Sequence, residues 1–307
     1  MTRRSVGIGL AAVTACVSGV SIYVNSNGVA AYGDATAYTT AKNAAAALII
    51  GLAFVAARAF RGADAVSLSR PASGRQWAGV VYVAVLGGAV PFVMFFEGLA
   101  STASTQAAFL HKTLVLWVAV LAVAILKERL TWWHGLAIAA LLIAQYGLAG
   151  SVSLVADPGT ALIAGATALW ALEVVVAKRL LAGMTPWTLS VARMGGGTVA
   201  LLVWAAATGG LAAVWPATAL QWGWVAVTGV LLAAYVLTWH QALWRAQAVD
   251  VTAVLVLGAL ITAALAGALD GAALAQQAPW YALMAAGGLL VWLAPRLPGA
   301  AGRRQAT

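Results

Sequence analysis

The chain has 307 residues, 63% of them hydrophobic and only 8% charged, with a mean hydropathy of +0.94. Seventeen Lys and Arg with 8 Asp and Glu cannot wet the surface of soluble domains of this total length, so a water-soluble enzyme is excluded and a bilayer protein is expected. The formal charge of +9 raises nucleic acid as a partner until the cations are located, and the single Cys16 excludes an intrachain disulfide and a cysteine-built zinc site.

A membrane-spanning helix needs about 20 mostly apolar residues, and ten such runs follow one another along the chain. They are predicted at about Val6 to Asn25, Thr36 to Ala57, Trp77 to Glu97, Ala103 to Leu126 and Thr131 to Gly150. The rest run from Thr160 to Leu181, Trp187 to Thr208, Gln221 to Ala242, Val249 to Leu269 and Trp280 to Ala294. The runs lack the two-residue alternation of a closed barrel, so helices must satisfy the backbone in lipid. Near the start, Arg3-Arg4 before an apolar run and Val13-Thr14-Ala15-Cys16 imitate a signal peptide and a lipoprotein box. Both are set aside because the run stays apolar through Val24 and more spans follow. Cys16 reads as a small packing residue.

The connections sort into two sides. One holds 14 of the 17 cations, from Arg3 and Arg4 through Arg58, Arg61, Arg70, Arg75, Lys127, Arg129, Lys178, Arg179 and Arg245 to the tail. The other holds none, carrying Asp34, Glu97, Asp157 and Asp270 instead. The positive-inside rule then places both termini in the cytoplasm. Cations scattered over short segments build no nucleic-acid groove. Trp77, Trp132, Trp133, Trp187, Trp222, Trp224 and Trp280 fall near span ends, as an interfacial belt requires. The longest connection, Arg58 to Gln76, is too short for a domain, so function is expected between the helices.

Ten spans divide at the linker Ser151 to Gly159 into residues 1–150 and 151–307, five spans each. An odd number per half inverts the second half in the membrane. Lys42, six residues after Thr36, corresponds to Arg193, six residues after Trp187, and Glu128 closes the fourth span of one half as Asp270 does near that of the other. The predicted fold is thus an all-α membrane protein of ten transmembrane helices in two inverted five-helix repeats.

This five-plus-five pattern, with Phe109-Leu110-His111-Lys112-Thr113 running into Leu126-Lys127-Glu128-Arg129-Leu130, resembles the EamA-like branch of the drug/metabolite transporter superfamily. Trp170 in Ala166-Thr167-Ala168-Leu169-Trp170-Ala171-Leu172 looks like that family's sixth-helix Trp, and Lys178-Arg179 like its cytoplasmic cap. The resemblance implies an inner-membrane exporter whose helices 1 to 4 and 6 to 9 line a central cavity. The chain departs from the pattern at Asp270 and lacks the proline usual early in helices 4 and 9.

Ionisable groups inside spans are costly in lipid and therefore candidate site residues. Four stand out. Lys42 lies about 9 Å below the outer end of its helix and Lys112 somewhat deeper. Glu173 and Arg193 lie at matching depth on consecutive helices and are expected to pair, either as glue between helices or as a gate or proton-coupling switch. Three cations against one anion favour a carboxylate-bearing substrate, with Lys112 as its anchor and Asn43 and His111 as hydrogen-bonding partners. The competing reading of both lysines is snorkelling to the surface, with Glu97 within reach of one of them. Trp170 is taken as a substrate contact; Trp117, Trp204 and Trp239 are read as packing and His134 as an interface anchor. Pro91 is expected to kink the third helix. His111, His134 and His240 are too dispersed for a metal site, and no cofactor is expected.

The chain shows no zinc-peptidase motif, nucleophile elbow or phosphate loop, so an enzyme is not expected. A channel would need a selectivity loop, and a receptor a domain outside the membrane. The expectation is a secondary transporter, an exporter of amino acids or related carboxylates by alternating access, driven by a substrate or proton gradient. Efflux of lipophilic cations and a passive facilitator are the alternatives. Expected partners are the small-molecule substrate, membrane lipid and protons, in a monomer or homodimer.

Overall fold

The computed structural model describes residues 2–62, 66–102, 104–149, 157–270, 274–294 and 297, and among these all regular structure is helical. α1 is Arg3–Tyr32 and α2 is Ala35–Arg61. α3 runs Gly74–Tyr82, passes a wide π turn at Val83–Gly87 and resumes as Val90–Ser101. α4 comprises Ser104–Lys112, Leu114–Leu121 and a second π turn, Ala122–Leu126; α5 is Trp132–Ala149. α6 is Pro158–Leu180, and α7 joins Pro186–Val191 to Gly197–Ala207 through a third π turn, Ala192–Gly196. α8 is Ala219–Arg245, α9 is Ala248–Val256 with Gly258–Asp270, and α10 is Leu274–Leu293.

Seven of the described helices are long and apolar enough to cross a bilayer: Arg3–Tyr32, Ala35–Arg61, Gly74–Leu99, Phe109–Leu126, Pro158–Leu180, Pro186–Ala207 and Ala219–Arg245. Trp132–Leu148 and Ala248–Thr262 are shorter apolar helices. The chain is therefore a multi-pass membrane protein. The expected linker residues 151–156 and the side chain of Asp270 lie outside the described residues.

Local chemistry sets the helix ends. α1 extends past the expected stop at Asn25, whose side-chain amide donates back to the Ser21 carbonyl at 2.7 Å, and it ends only at Gly33, whose φ of 70° is left-handed. Asp34 starts α2 one residue later by accepting the Ala37 amide at 2.8 Å. Asp157 caps α6 with bonds from the Thr160 hydroxyl at 2.7 Å and the Thr160 N–H at 2.8 Å, which hold its carboxyl below the usual aspartate range.

The faces are sorted as a bilayer requires, with apolar side chains outside and small or polar ones within. On α2, Leu48, Leu52 and Val55 recur at helical spacing and are exposed, while Tyr38, Lys42, Asn43, Ala46 and Ile50 are buried. α1 packs on α8 and α9, α6 packs on α3 and α4, and α5 lies against α10. At the α1–α9 crossing a Cβ on Gly19 would overlap the Gly258 carbonyl, and one on Gly258 would press on the Ala15 carbonyl, so only glycine lets these backbones meet. Trp117 and Trp204 are half-exposed on the outer surface, which corrects their reading as internal packing, whereas Trp239 is buried as expected.

Candidate functional site

Pro91 shapes the site through the backbone it leaves unsatisfied. Proline has no N–H for the carbonyl four residues earlier, which is Gly87, and the π turn and the non-helical Ala89 (φ −129°, ψ −71°) carry the chain around the break. The freed Gly87 carbonyl accepts the Trp170 indole N–H at 3.1 Å, and the Gly88 carbonyl accepts the Asn43 amide at 3.4 Å. Gly88 must be small because a Cβ there would overlap the Arg193 carbonyl of α7. The expected kink is thus a broken helix whose open carbonyls orient side chains from α6 and α2.

Around this break lies a cavity of about 460 Å³ walled by α1, α2, α3, α4, α6, α7, α8 and α9. Its lining comes from the second half of α1 (Ser18 to Asn25), the start of α2 (Lys42), the end of α3 (Phe92 to Leu99) and the start of α4 (Ala107 to Leu114). These segments lie in the halves of α1 to α4 nearer Asp34 and Glu97, whereas Glu173 of α6, Arg193 of α7 and Tyr235 and Trp239 of α8 line it from the halves nearer Lys178 and Arg245.

Of the seven residues expected at a site, five line this one cavity: Lys42, His111, Trp170, Glu173 and Arg193. Glu173 Oε1 is 3.2 Å from Arg193 Nε, the ion pair expected between α6 and α7. The Nε–H is not aligned for a hydrogen bond, and both Nε and Nη1 of the buried guanidinium lack an acceptor among the described residues. Lys42 is only 3% exposed, so it does not snorkel. Its ammonium donates to Asn25 Oδ1 at 3.2 Å and sits 4.4 Å from the Phe96 ring centroid and 5.1 Å from that of Tyr38. Asn25 Oδ1 also accepts the Tyr38 hydroxyl at 2.7 Å, and the Tyr38 oxygen, its one proton so used, lies 3.0 Å from the Thr228 hydroxyl as an acceptor. Phe92 lies between the cations, 5.9 Å from Lys42 Nζ and 5.6 Å from the Arg193 guanidinium carbon.

His111, Trp170, Phe92 and Phe95 form an aromatic wall. His111 stands edge-on to Trp170 at 5.1 Å and near Phe95 at 5.4 Å, and its buried Nδ1 has no hydrogen-bond partner among the described residues. Two expected residues are not in the lining. Asn43 holds the Gly88 carbonyl, and Lys112, 4% exposed, keeps an unpartnered Nζ outside the cavity wall. Glu97 is exposed and accepts the Thr36 hydroxyl at 2.6 Å, so it does not serve either lysine.

The basic end of the bundle is tied by a polar knot. Asp250, fully buried at the start of α9, takes Arg4 Nε of α1 at 2.9 Å, and its other oxygen stands 3.4 Å from His134 Nε2 of α5. His134 is therefore a buried partner of α9, and the interface-anchor reading is corrected. Glu128 reaches from the α4–α5 connection to accept the N–H groups of Ala248 and Val249 at 2.8 and 3.3 Å, satisfying the start of α9. Burial pushes its carboxyl above the usual glutamate range, against the lowering by these two N–H groups. Lys178 of α6 donates to the Leu243 and Ala246 carbonyls at the end of α8 at 2.5 and 2.6 Å. Sequence reading missed Asp250 because it stands one residue inside a span start, where an acid is ordinary helix-end chemistry. Asn25, Tyr38 and Phe92 carried no charge to draw attention. Among the described residues no group of three or more His, Cys, Asp or Glu is placed to hold a metal ion.

Residues 5–149 match the EamA-like transporter family. A solved structure described as "Crystal structure of protein" is similar in fold, with a TM-score of 0.74 at 17% identity, covering 94% of this chain and 99% of that one. No curated protein matches the chain.

Proposed function

We propose that this chain, whose residues 5–149 match the EamA-like transporter family, is a membrane transporter of the drug/metabolite type that exports small carboxylate-bearing metabolites such as amino acids. The cavity is the substrate site, and one observation carries the reading. Arg193 is paired with Glu173, whereas among the described residues Lys42 has no acid beside it, only an amide oxygen and aromatic rings. A buried ammonium so poorly compensated favours an anionic group in the space beside it. Trp170, Phe92 and Phe95 then face the apolar part of the substrate, and the free Nδ1 of His111 offers a hydrogen bond.

Alternating access follows from the contrast between the two ends. The cavity reaches from the Asp34 end past the middle of the bundle, while Asp250, Glu128 and Lys178 tie the basic end, which the positive-inside rule puts in the cytoplasm of an inner-membrane protein. The knot is the inner closure, and the Glu173–Arg193 pair is the gate or proton-coupling element. Ten passes in two inverted halves, 1–150 and 151–307, fit this reading. The packing of α1 on α8 and α9 repeats that of α6 on α3 and α4, with α5 and α10 meeting across the pseudo-two-fold, which supports the repeat. Lys112 lies outside the cavity wall and is not assigned to the substrate site.

The aromatic wall favours a second reading, efflux of lipophilic cations, since ring faces attract cations as well as apolar groups. Proteoliposomes preloaded with unlabelled substrate separate the two. Counterflow of a labelled amino acid, lost in Lys42→Met, supports the carboxylate reading. Counterflow of a lipophilic cation that survives Lys42→Met overturns it.

A further inference from the structure

At the basic end, away from the cavity just described, lies a second pocket of about 460 Å³, lined by Arg3, Arg4, Lys178, Trp244, Arg245 and Gln247 among others. Four of these are cations and none is an acid. Arg3 and Arg245 both stack on the indole of Trp244, with guanidinium carbons 4.6 and 4.7 Å from the ring centroid. The Arg3 charge opposes those of Arg245 and Lys178, while Glu128 and Asp250 offset part of the Lys178 charge from behind this lining. Topology alone requires cations somewhere on this face, not two guanidiniums on one ring beside two further cations.

The donors of this group are only partly used. Arg3 gives one hydrogen bond, to the Trp244 carbonyl at 3.0 Å, and Arg245 turns back onto Gln241 of its own helix. A guanidinium has five N–H donors in a planar fork that matches two oxygens of a carboxylate or phosphate. Arg4 and Lys178 are the exceptions: Arg4 is bonded to Asp250 and to the Val291 carbonyl, and Lys178 to the Leu243 and Ala246 carbonyls, so the pocket shares one wall with the knot.

We propose that this pocket is an oxyanion-binding site for a phosphate group, held by the Arg3 and Arg245 guanidiniums with Lys178 and Arg4 supplying the field. The chemistry is that of an anionic phospholipid headgroup or of a free phosphate, and both reach the ends of membrane helices from the basic side. Trp244, 37% exposed beside the two arginines, stands where indoles lie at headgroup level. Because Arg4 borders the pocket and also binds Asp250, a bound oxyanion competes with Asp250 for it and loosens the closure of the basic end.

The experiment titrates the purified full chain in zwitterionic-lipid nanodiscs with inorganic phosphate, and in parallel counts retained phosphatidylglycerol in mixed-lipid nanodiscs by native mass spectrometry. Either ligand binding the wild type, weakened about tenfold or more in R3Q/R245Q and unchanged in K42M, supports the site. Phosphate alone identifies a soluble anion, and phosphatidylglycerol alone identifies a headgroup. Should the double variant not fold, the single variants serve, each expected to weaken binding severalfold. No binding of either ligand, or binding that is the same in the arginine variants, overturns the proposal.

Discussion

The central cavity and the polar knot bury the same kinds of groups and use them in opposite ways. In the knot, Asp250, Glu128 and Lys178 are engaged with partners that need them: an arginine of α1, the unpaired N–H groups at the start of α9 and the last carbonyls of α8. In the cavity, among the described residues, His111 Nδ1 and Arg193 Nε and Nη1 have no hydrogen-bond partner and Lys42 has an amide oxygen in place of an acid, around a space large enough for a small metabolite. Buried polar groups with their bonds made hold helices together, whereas those with capacity to spare are suited to a ligand.

Breaking the cavity pair has the largest predicted effect. Glu173→Ala leaves Arg193 buried and uncompensated and is expected to cost about 3–5 kcal/mol, read as a loss of thermal and chemical stability. Removing both charges as Glu173→Leu with Arg193→Met is expected to recover most of that loss. A double variant as unstable as the single one contradicts the pairing. Asp250→Asn comes next, at about 1–3 kcal/mol, less than the cavity pair because Arg4 is 28% exposed and water takes over part of its charge. It is also expected to raise the accessibility of a cysteine probe placed beside Ala246, an effect Glu173→Ala does not share.

The cap is smaller again. Glu128→Ala strips two N–H groups at the start of α9 of their acceptor and is expected to cost about 1–2 kcal/mol in thermal unfolding. pH separates its charge from its hydrogen bonds. The folded carboxyl titrates above its unfolded value because burial outweighs the two N–H bonds, so its contribution to stability is full below the unfolded value and is lost as pH rises through the folded one. Glu128→Gln should remove this slope while keeping one acceptor. An unchanged pH profile contradicts the assignment. Lys42→Met has the smallest structural effect, under about 1 kcal/mol of destabilisation, because an ammonium without an acid partner leaves no stranded charge behind.

Much of this was legible in the chain, and the remainder fails for identifiable reasons. Long apolar runs located the helices, since only burial in lipid explains them, and intramembrane charge picked out Lys42, Glu173 and Arg193. Matching depth on consecutive helices even paired Glu173 with Arg193. What periodicity cannot give is rotation about a helix axis relative to partners distant in sequence. Lys112 and His111 differ by one residue and about 100°, and only His111 faces the cavity. Asp250 looked like ordinary helix-start chemistry until α1 and α5 were brought against it, some 246 and 116 residues away in sequence. Pro91 announced a kink, but that its freed carbonyls would hold Trp170 and Asn43 depends on the packing of α6 and α2 on α3.

The most direct test is a thermal-stability screen of the purified protein against small carboxylates, amino acids, nucleosides and lipophilic cations, run on wild type, Lys42→Met and Lys112→Met. A ligand at a hundred times its Kd stabilises by about 2.7 kcal/mol. The cavity reading predicts stabilisation by a carboxylate-bearing metabolite that vanishes in Lys42→Met and persists in Lys112→Met. Stabilisation by lipophilic cations alone, or by a carboxylate regardless of Lys42, contradicts it.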